Sequence, residues 1–139
     1  MHHSVTVPVA APAPIAWAVL TDLSGWPTWT ASMREVALEG GFEVGSSVRI
    51  RQPKLPTAQW TITEIEPGRS FTWESTAPGI RSVASHSVTA TGSGASELTV
   101  SIEQSGQLGN VVAALYGRLT KRYVQMEADG LARAAAERA

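Results

Sequence analysis

The last third of this chain carries one long amphipathic helix pattern, and an almost unbroken run of strand patterns precedes it. From Val111 the apolar residues fall at Val111, Val112, Leu115, Leu119, Tyr123, Met126 and Leu131. Such spacings keep one apolar stripe on a helix. No second helix of similar length exists for it to pack on, so the stripe must lie across a sheet. A long helix over a strongly curved sheet cannot touch it everywhere. A hollow is therefore expected between them, which points to a holder of small apolar molecules.

The strands are read from alternation. Val5, Val7 and Val9 face one way and Thr6 and Pro8 the other; Pro8 has no N–H to give and suits an edge. Ala11-Pro-Ala-Pro14 breaks the strand, and a helix begins near Pro12 or Pro14, where proline is tolerated in the first turn. Its apolar side is Ile15, Trp17, Val19 and Leu20, and it is finished by Gly25. Trp26 to Ser32 gives one or two helical turns. Strands follow over Arg34–Leu38, Ser46–Gln52, Ala58–Glu66, Ser70–Thr76 and Ile80–Thr91, with a last one through Leu98, Val100 and Ile102. Ile65 breaks the alternation of Trp60 and Ile62, which predicts a bulge or a strand end. Short Gly/Pro turns make sequence neighbours antiparallel. The expected fold class is α+β: a seven-stranded curved antiparallel sheet, two short helices, and one long C-terminal helix over a cavity. A length of 139 residues suits one domain spanning 1–139.

Composition excludes more than it assigns. Cysteine is absent, which removes disulfides, thiolate metal sites and a cysteine nucleophile. A formal net charge of −1 supplies no field to recruit nucleic acid. No stretch approaches a membrane span and no secretory signal appears, so the cytoplasm is the default location. No second His or Cys stands at ligand spacing to His86, and no phosphate loop or nucleophile elbow occurs; neither metal nor cofactor is expected. The chain reads as a monomer or homodimer.

The order of elements and several local motifs resemble the polyketide cyclase/dehydrase branch of the START/Bet v 1-like superfamily. Asp22-Leu-Ser-Gly-Trp-Pro-Thr-Trp29 looks like that family's D-x-x-x-W-P-x-W segment after the first helix. The Trp60–Pro67 strand ending in Glu-Pro-Gly, the Phe71-Thr-Trp73 strand and the closing helix match as well. The resemblance implies a helix-grip fold with a cavity between sheet and long helix. It brings two activities into view, carriage of a hydrophobic molecule and polyketide aromatase/cyclase chemistry, but no catalytic set. The cavity arginines of such cyclases have no counterpart here, because Arg49 and Arg51 fall on the predicted outer face. A protein-interaction module using a sheet edge or the helix is the third reading.

Alternation places His86 on one strand face with Ile80, Ala84 and Val88. A neutral imidazole there could hydrogen-bond a ligand or move a proton. Tyr123 on the helix stripe could present its hydroxyl; these two are the candidate catalytic residues. The expected ligand wall comprises Val48, Ile50, Trp60, Ile62, Phe71, Trp73, His86, Val88, Val100 and Ile102 from the sheet. The helix adds Val112, Leu115, Tyr116, Leu119 and Tyr123. Trp60 and Trp73 could stack on a flat ligand or simply fill the core. Trp26, Pro27 and Trp29 form a corner that packs the short helices on the sheet rim, and Trp29 could close one cavity end. Asp22 is expected to cap the short helix after it. Gly117, inside a helix at a cost of ~1 kcal/mol relative to alanine, points to a close approach or a bend. Glu64 and Glu66 read as a solvated strand end. Arg118, Lys121 and Arg122 occupy the outer helix face.

Overall fold

The computed structural model describes residues 1–139. Strand β1 (His2–Val9) leads into helix α1 (Ala13–Thr21) and a 3₁₀ helix (Leu23–Thr28). Six strands follow: β2 (Glu35–Leu38), β3 (Ser47–Arg51), β4 (Ala58–Glu66), β5 (Ser70–Ala77), β6 (Ile80–Gly92) and β7 (Ala95–Ser105). The chain ends in the 30-residue helix α2 (Gly109–Arg138). The sheet order is β1-β7-β6-β5-β4-β3-β2, every pair antiparallel. Only the first strand departs from sequence order, because α1 and the 3₁₀ helix carry the chain from one edge of the sheet to the other. This is the helix-grip arrangement.

The bulge expected near Ile65 is present. Ile62 pairs with Trp73 and Ile65 with Phe71, three residues against two, with the register shift between Ile62 and Glu64. The extra residue restores the inward face, so Ile62 and Ile65 both meet inward partners although they are an odd number apart. The outer face is polar. Arg49 lies 2.8 Å from Glu35, Arg81 2.8 Å from Glu74, and Thr6 hydrogen-bonds Thr99 across β1 and β7. Glu64 and Glu66 are exposed, and Glu66 pairs with Arg69 at 3.2 Å.

Two local expectations need correction. The first helix is finished before Gly25 as expected, at Thr21, but the second short helix runs Leu23–Thr28 rather than within Trp26–Ser32, so Gly25 lies inside it. Asp22 precedes that helix but makes no side-chain cap; backbone hydrogen bonding serves instead, with Gly25 N–H donating to Asp22 O at 3.0 Å.

The core is not centred on the sheet. Val48, Ile62, Phe71, Val88 and Leu98 pack against Ala16, Val19 and Leu20 of α1, Leu23 and Trp26 of the 3₁₀ helix, and Ala128, Leu131 and Ala135 of α2. One half of the concave sheet is thus filled by the short helices and the end of the long one. The first half of α2 spans the other half with nothing beneath it.

Candidate functional site

The unfilled half of the bowl is a cavity of about 430 Å³. Each strand crosses from packed core to cavity wall along its own length. On β5, Phe71 is packed, Trp73 is at the boundary, and Ser75 and Ala77 face the hollow. On β6 the same passage runs Val88, His86, Ala84, Ser82 and Ile80. On β7 it runs Leu98, Val100, Ile102 and Gln104. The β3–β4 connection closes one side with Leu55, Pro56 and Thr57, and α2 roofs the space with Val112, Tyr116, Thr120, Tyr123, Val124 and Glu127.

Of the residues expected to line a ligand site, the cavity brings together Ile50, Trp60, Trp73, His86, Val100, Ile102, Val112, Tyr116 and Tyr123. Val48, Ile62, Phe71 and Val88 do not line it; they share the inward face but lie over the half that α1 and the 3₁₀ helix fill. Leu115 and Leu119 do not line it either. Leu115 is 71% exposed, because the stripe that faces the sheet is rotated toward Val112, Tyr116 and Thr120. Trp29 packs on Trp26 at 5.4 Å between ring centres and seats against α2, rather than closing the cavity.

His86 sits where core meets cavity. Its ring stacks on Phe71 at 4.4 Å and 16°, and stands edge-on to Trp73 at 5.2 Å and to Trp26 at 5.5 Å. Nδ1 is buried with no hydrogen-bond partner. Burial pulls the imidazole pKa down to about 4, only partly countered by the backbone of Phe71. The ring is therefore neutral at physiological pH.

Glu127 is the functional candidate that sequence reasoning missed. It is 8% exposed, lines the cavity from α2, and stands in no ion pair. Burial alone pushes its carboxyl up to about 8. The signal was available: Tyr123, Glu127 and Leu131 are four residues apart, so the carboxylate falls on the apolar stripe. No lysine or arginine lines the cavity to balance it.

Tyr123 is 7% exposed, and its hydroxyl donates to the carbonyl of Pro53. That bond ties α2 to the β3–β4 connection and commits the phenolic proton to the backbone. Gly117 faces no tight neighbour; a Cβ there would meet only Met1 Sδ, at 3.9 Å. The close approach occurs at Gly130, where a Cβ would collide with the carbonyl oxygen of Trp29 and lie 2.9 Å from its Cε3. Arg133 donates to that same carbonyl at 3.1 Å.

The chain matches the family described as polyketide cyclase / dehydrase and lipid transport over residues 1–136. No curated protein matches it in sequence. Among solved structures it is similar to the Zhui aromatase/cyclase from Streptomyces sp. R1128, with TM-score 0.84 and 17% identity, covering 99% of this chain and 94% of that one. It is also similar to norcoclaurine synthase from Thalictrum flavum in complex with dopamine and hydroxybenzaldehyde, with TM-score 0.74 and 15% identity, covering 99% and 87%. The di-domain ARO/CYC BexL gives TM-score 0.75 and 13% identity, covering 96% of this chain and 45% of that one. At these identities the likeness establishes the fold.

Proposed function

Because the chain belongs to the polyketide cyclase/dehydrase and lipid-transport family, we propose that its cavity binds an apolar small molecule with a flat, aromatic body. The observation that carries this reading is the hollow of about 430 Å³ between the sheet and the first half of α2, walled by Trp60, Trp73, Ile50, Ile102 and Val112. That volume lies in the ordinary range for small-molecule sites, and a mainly apolar wall with a few polar groups is their usual make-up. Affinity arises chiefly from apolar area removed from water, at roughly 25 cal/mol per Å² before the costs of association. Glu127, Gln104 and Ser82 orient the guest.

The test is twofold. Native mass spectrometry of the purified protein is expected to reveal a co-purified mass. Titration with flat aromatic compounds is expected to change the fluorescence of Trp60 and Trp73. Silence in both experiments removes the reading.

One observation favours a second, catalytic reading. Two titratable groups in the same cavity have pKa values pushed to opposite sides of their ordinary order, His86 down to about 4 and Glu127 up to about 8. At neutral pH that leaves a neutral imidazole and a protonated carboxyl, one able to accept a proton and the other to donate it. In the dehydration of an aldol product, His86 would take the proton beside the carbonyl as the carbon–carbon double bond forms, while Glu127 protonates the departing hydroxyl, which leaves as water. His86→Ala is then expected to abolish turnover of a poly-keto chain while guest binding persists; unchanged turnover excludes His86 from the chemistry.

A further inference from the structure

Beside the stripe that roofs the cavity, α2 presents a second one. Leu108, Val111, Leu115, Arg118 and Arg122 follow each other at alternating steps of three and four, so they share one side of the helix and the turn before it. All five are exposed, with Leu108 at 46%, Val111 at 53% and Leu115 at 71%. Five large apolar side chains are exposed in the whole chain, and three of them lie on this stripe, with a fourth, Tyr116 at 38%, beside it at the cavity mouth. Scattered exposed leucines are ordinary. A stripe whose apolar half runs directly into a cationic half is not.

The charge is one-sided. Arg118, Lys121 and Arg122 take part in none of the chain's ion pairs, and no Asp or Glu occurs between Glu103 and Glu127. The stripe also borders the cavity mouth, because Val112 and Tyr116 line the hollow and are the immediate neighbours of Val111 and Leu115. Leu108 is fixed there: its N–H donates to Gly79 O at 2.7 Å, joining the start of α2 to the β5–β6 turn.

We propose that this stripe docks the mouth of the cavity onto an anionic lipid bilayer, with Leu108, Val111 and Leu115 in the acyl boundary and Arg118 and Arg122, flanked by Lys121, against the phosphate headgroups. A bilayer offers hydrocarbon and negative charge in adjacent layers, in the order in which the stripe presents its two halves. A second copy of the stripe does not, since it would set cation over cation or cation over leucine and never cation over carboxylate. Attachment is peripheral, for no helix of the chain is long and apolar enough to cross a membrane. The docking does not depend on what the cavity holds, so it is measured with no guest present.

Co-sedimentation with vesicles of phosphatidylcholine and phosphatidylglycerol in equal parts, against phosphatidylcholine alone, is the experiment. Binding is expected to the mixed vesicles only and to weaken as salt is added. Leu115→Asp is expected to abolish it. The double variant Arg118→Gln, Arg122→Gln is expected to lower partitioning about 25-fold, at about fivefold per cation. These side chains are exposed, so the variants keep the fold, which circular dichroism checks. Binding to neither vesicle, equal binding to both, or variants that bind like the parent each overturn the proposal. So does a stripe that proves to be a self-association surface, seen as a dimer that Leu115→Asp dissolves.

Discussion

Two buried ionisable residues give the folded state a pH dependence with a definite sign. The Glu127 carboxyl rises from an ordinary 4.5 to about 8 on folding. The folded chain therefore holds more protons than the unfolded one across that window. Glu127's contribution is complete below about 4.5 and is lost as pH rises through about 8. His86 falls from 6.5 to about 4, so its contribution is complete above 6.5 and is lost as pH falls toward about 4. Below 6.5 the two slopes oppose each other; between 6.5 and about 8 only Glu127 acts. Stability against urea is expected to decline across that upper window by about 1.4 kcal/mol per pH unit. Glu127→Gln is expected to flatten the decline, and a slope that survives the substitution would place its origin elsewhere. His86 was legible in the sequence because strand alternation is rigid and its neighbours on β6 are apolar. Glu127 was not, because a lone carboxylate on a helix ordinarily belongs to the solvated face, and only its four-residue spacing from Tyr123 and Leu131 said otherwise.

At the scale of elements, the long helix does two jobs along its length and is held by different means in each half. Its last turns pack solidly, and their fit depends on Gly130 lying against the Trp29 backbone, a contact secured by Arg133. Gly130→Ala is expected to destabilise the chain by about 1–3 kcal/mol through overpacking, despite the better helix propensity of alanine. Gly117→Ala, which meets only Met1 Sδ at 3.9 Å, is expected to be neutral or to stabilise by up to about 1 kcal/mol. Thermal unfolding of the pair measures both, and equal effects would contradict the docking geometry. The helix itself was plain from apolar periodicity, but its rotation was not. Val111, Val112, Leu115 and Leu119 spread over a wide arc of the helix, and periodicity cannot say which side of that arc meets the sheet. The structure resolves it by turning Val112 and Tyr116 inward and leaving Leu115 in solvent. The strands fared better, since an alternating pattern has only two faces. What alternation could not reveal is how far along each strand the core extends. That is set by α1 and the 3₁₀ helix, whose placement over one half of the sheet is a tertiary matter.

For the whole molecule, the consequence is a division between a half built for stability and a half left for occupancy. The two should respond separately to substitution. Ala84, at the cavity wall beside Trp73 and Ile102, is 8% exposed. Ala84→Leu adds bulk to the hollow. It is expected to weaken guest binding by about tenfold or more, since forcing a guest into a filled site carries an overpacking penalty. The unfolding midpoint is expected to hold or rise. A matching loss of stability would mean that the hollow is part of the core after all. The open sheet has one more property at this scale. Its two margins are β1 and β2, and neither invites another chain to continue the ladder. β2 offers only four residues. β1 lacks a donor at Pro8, where it pairs with Glu97 of β7. Strand-by-strand addition of a further chain is therefore discouraged at both margins of the open sheet.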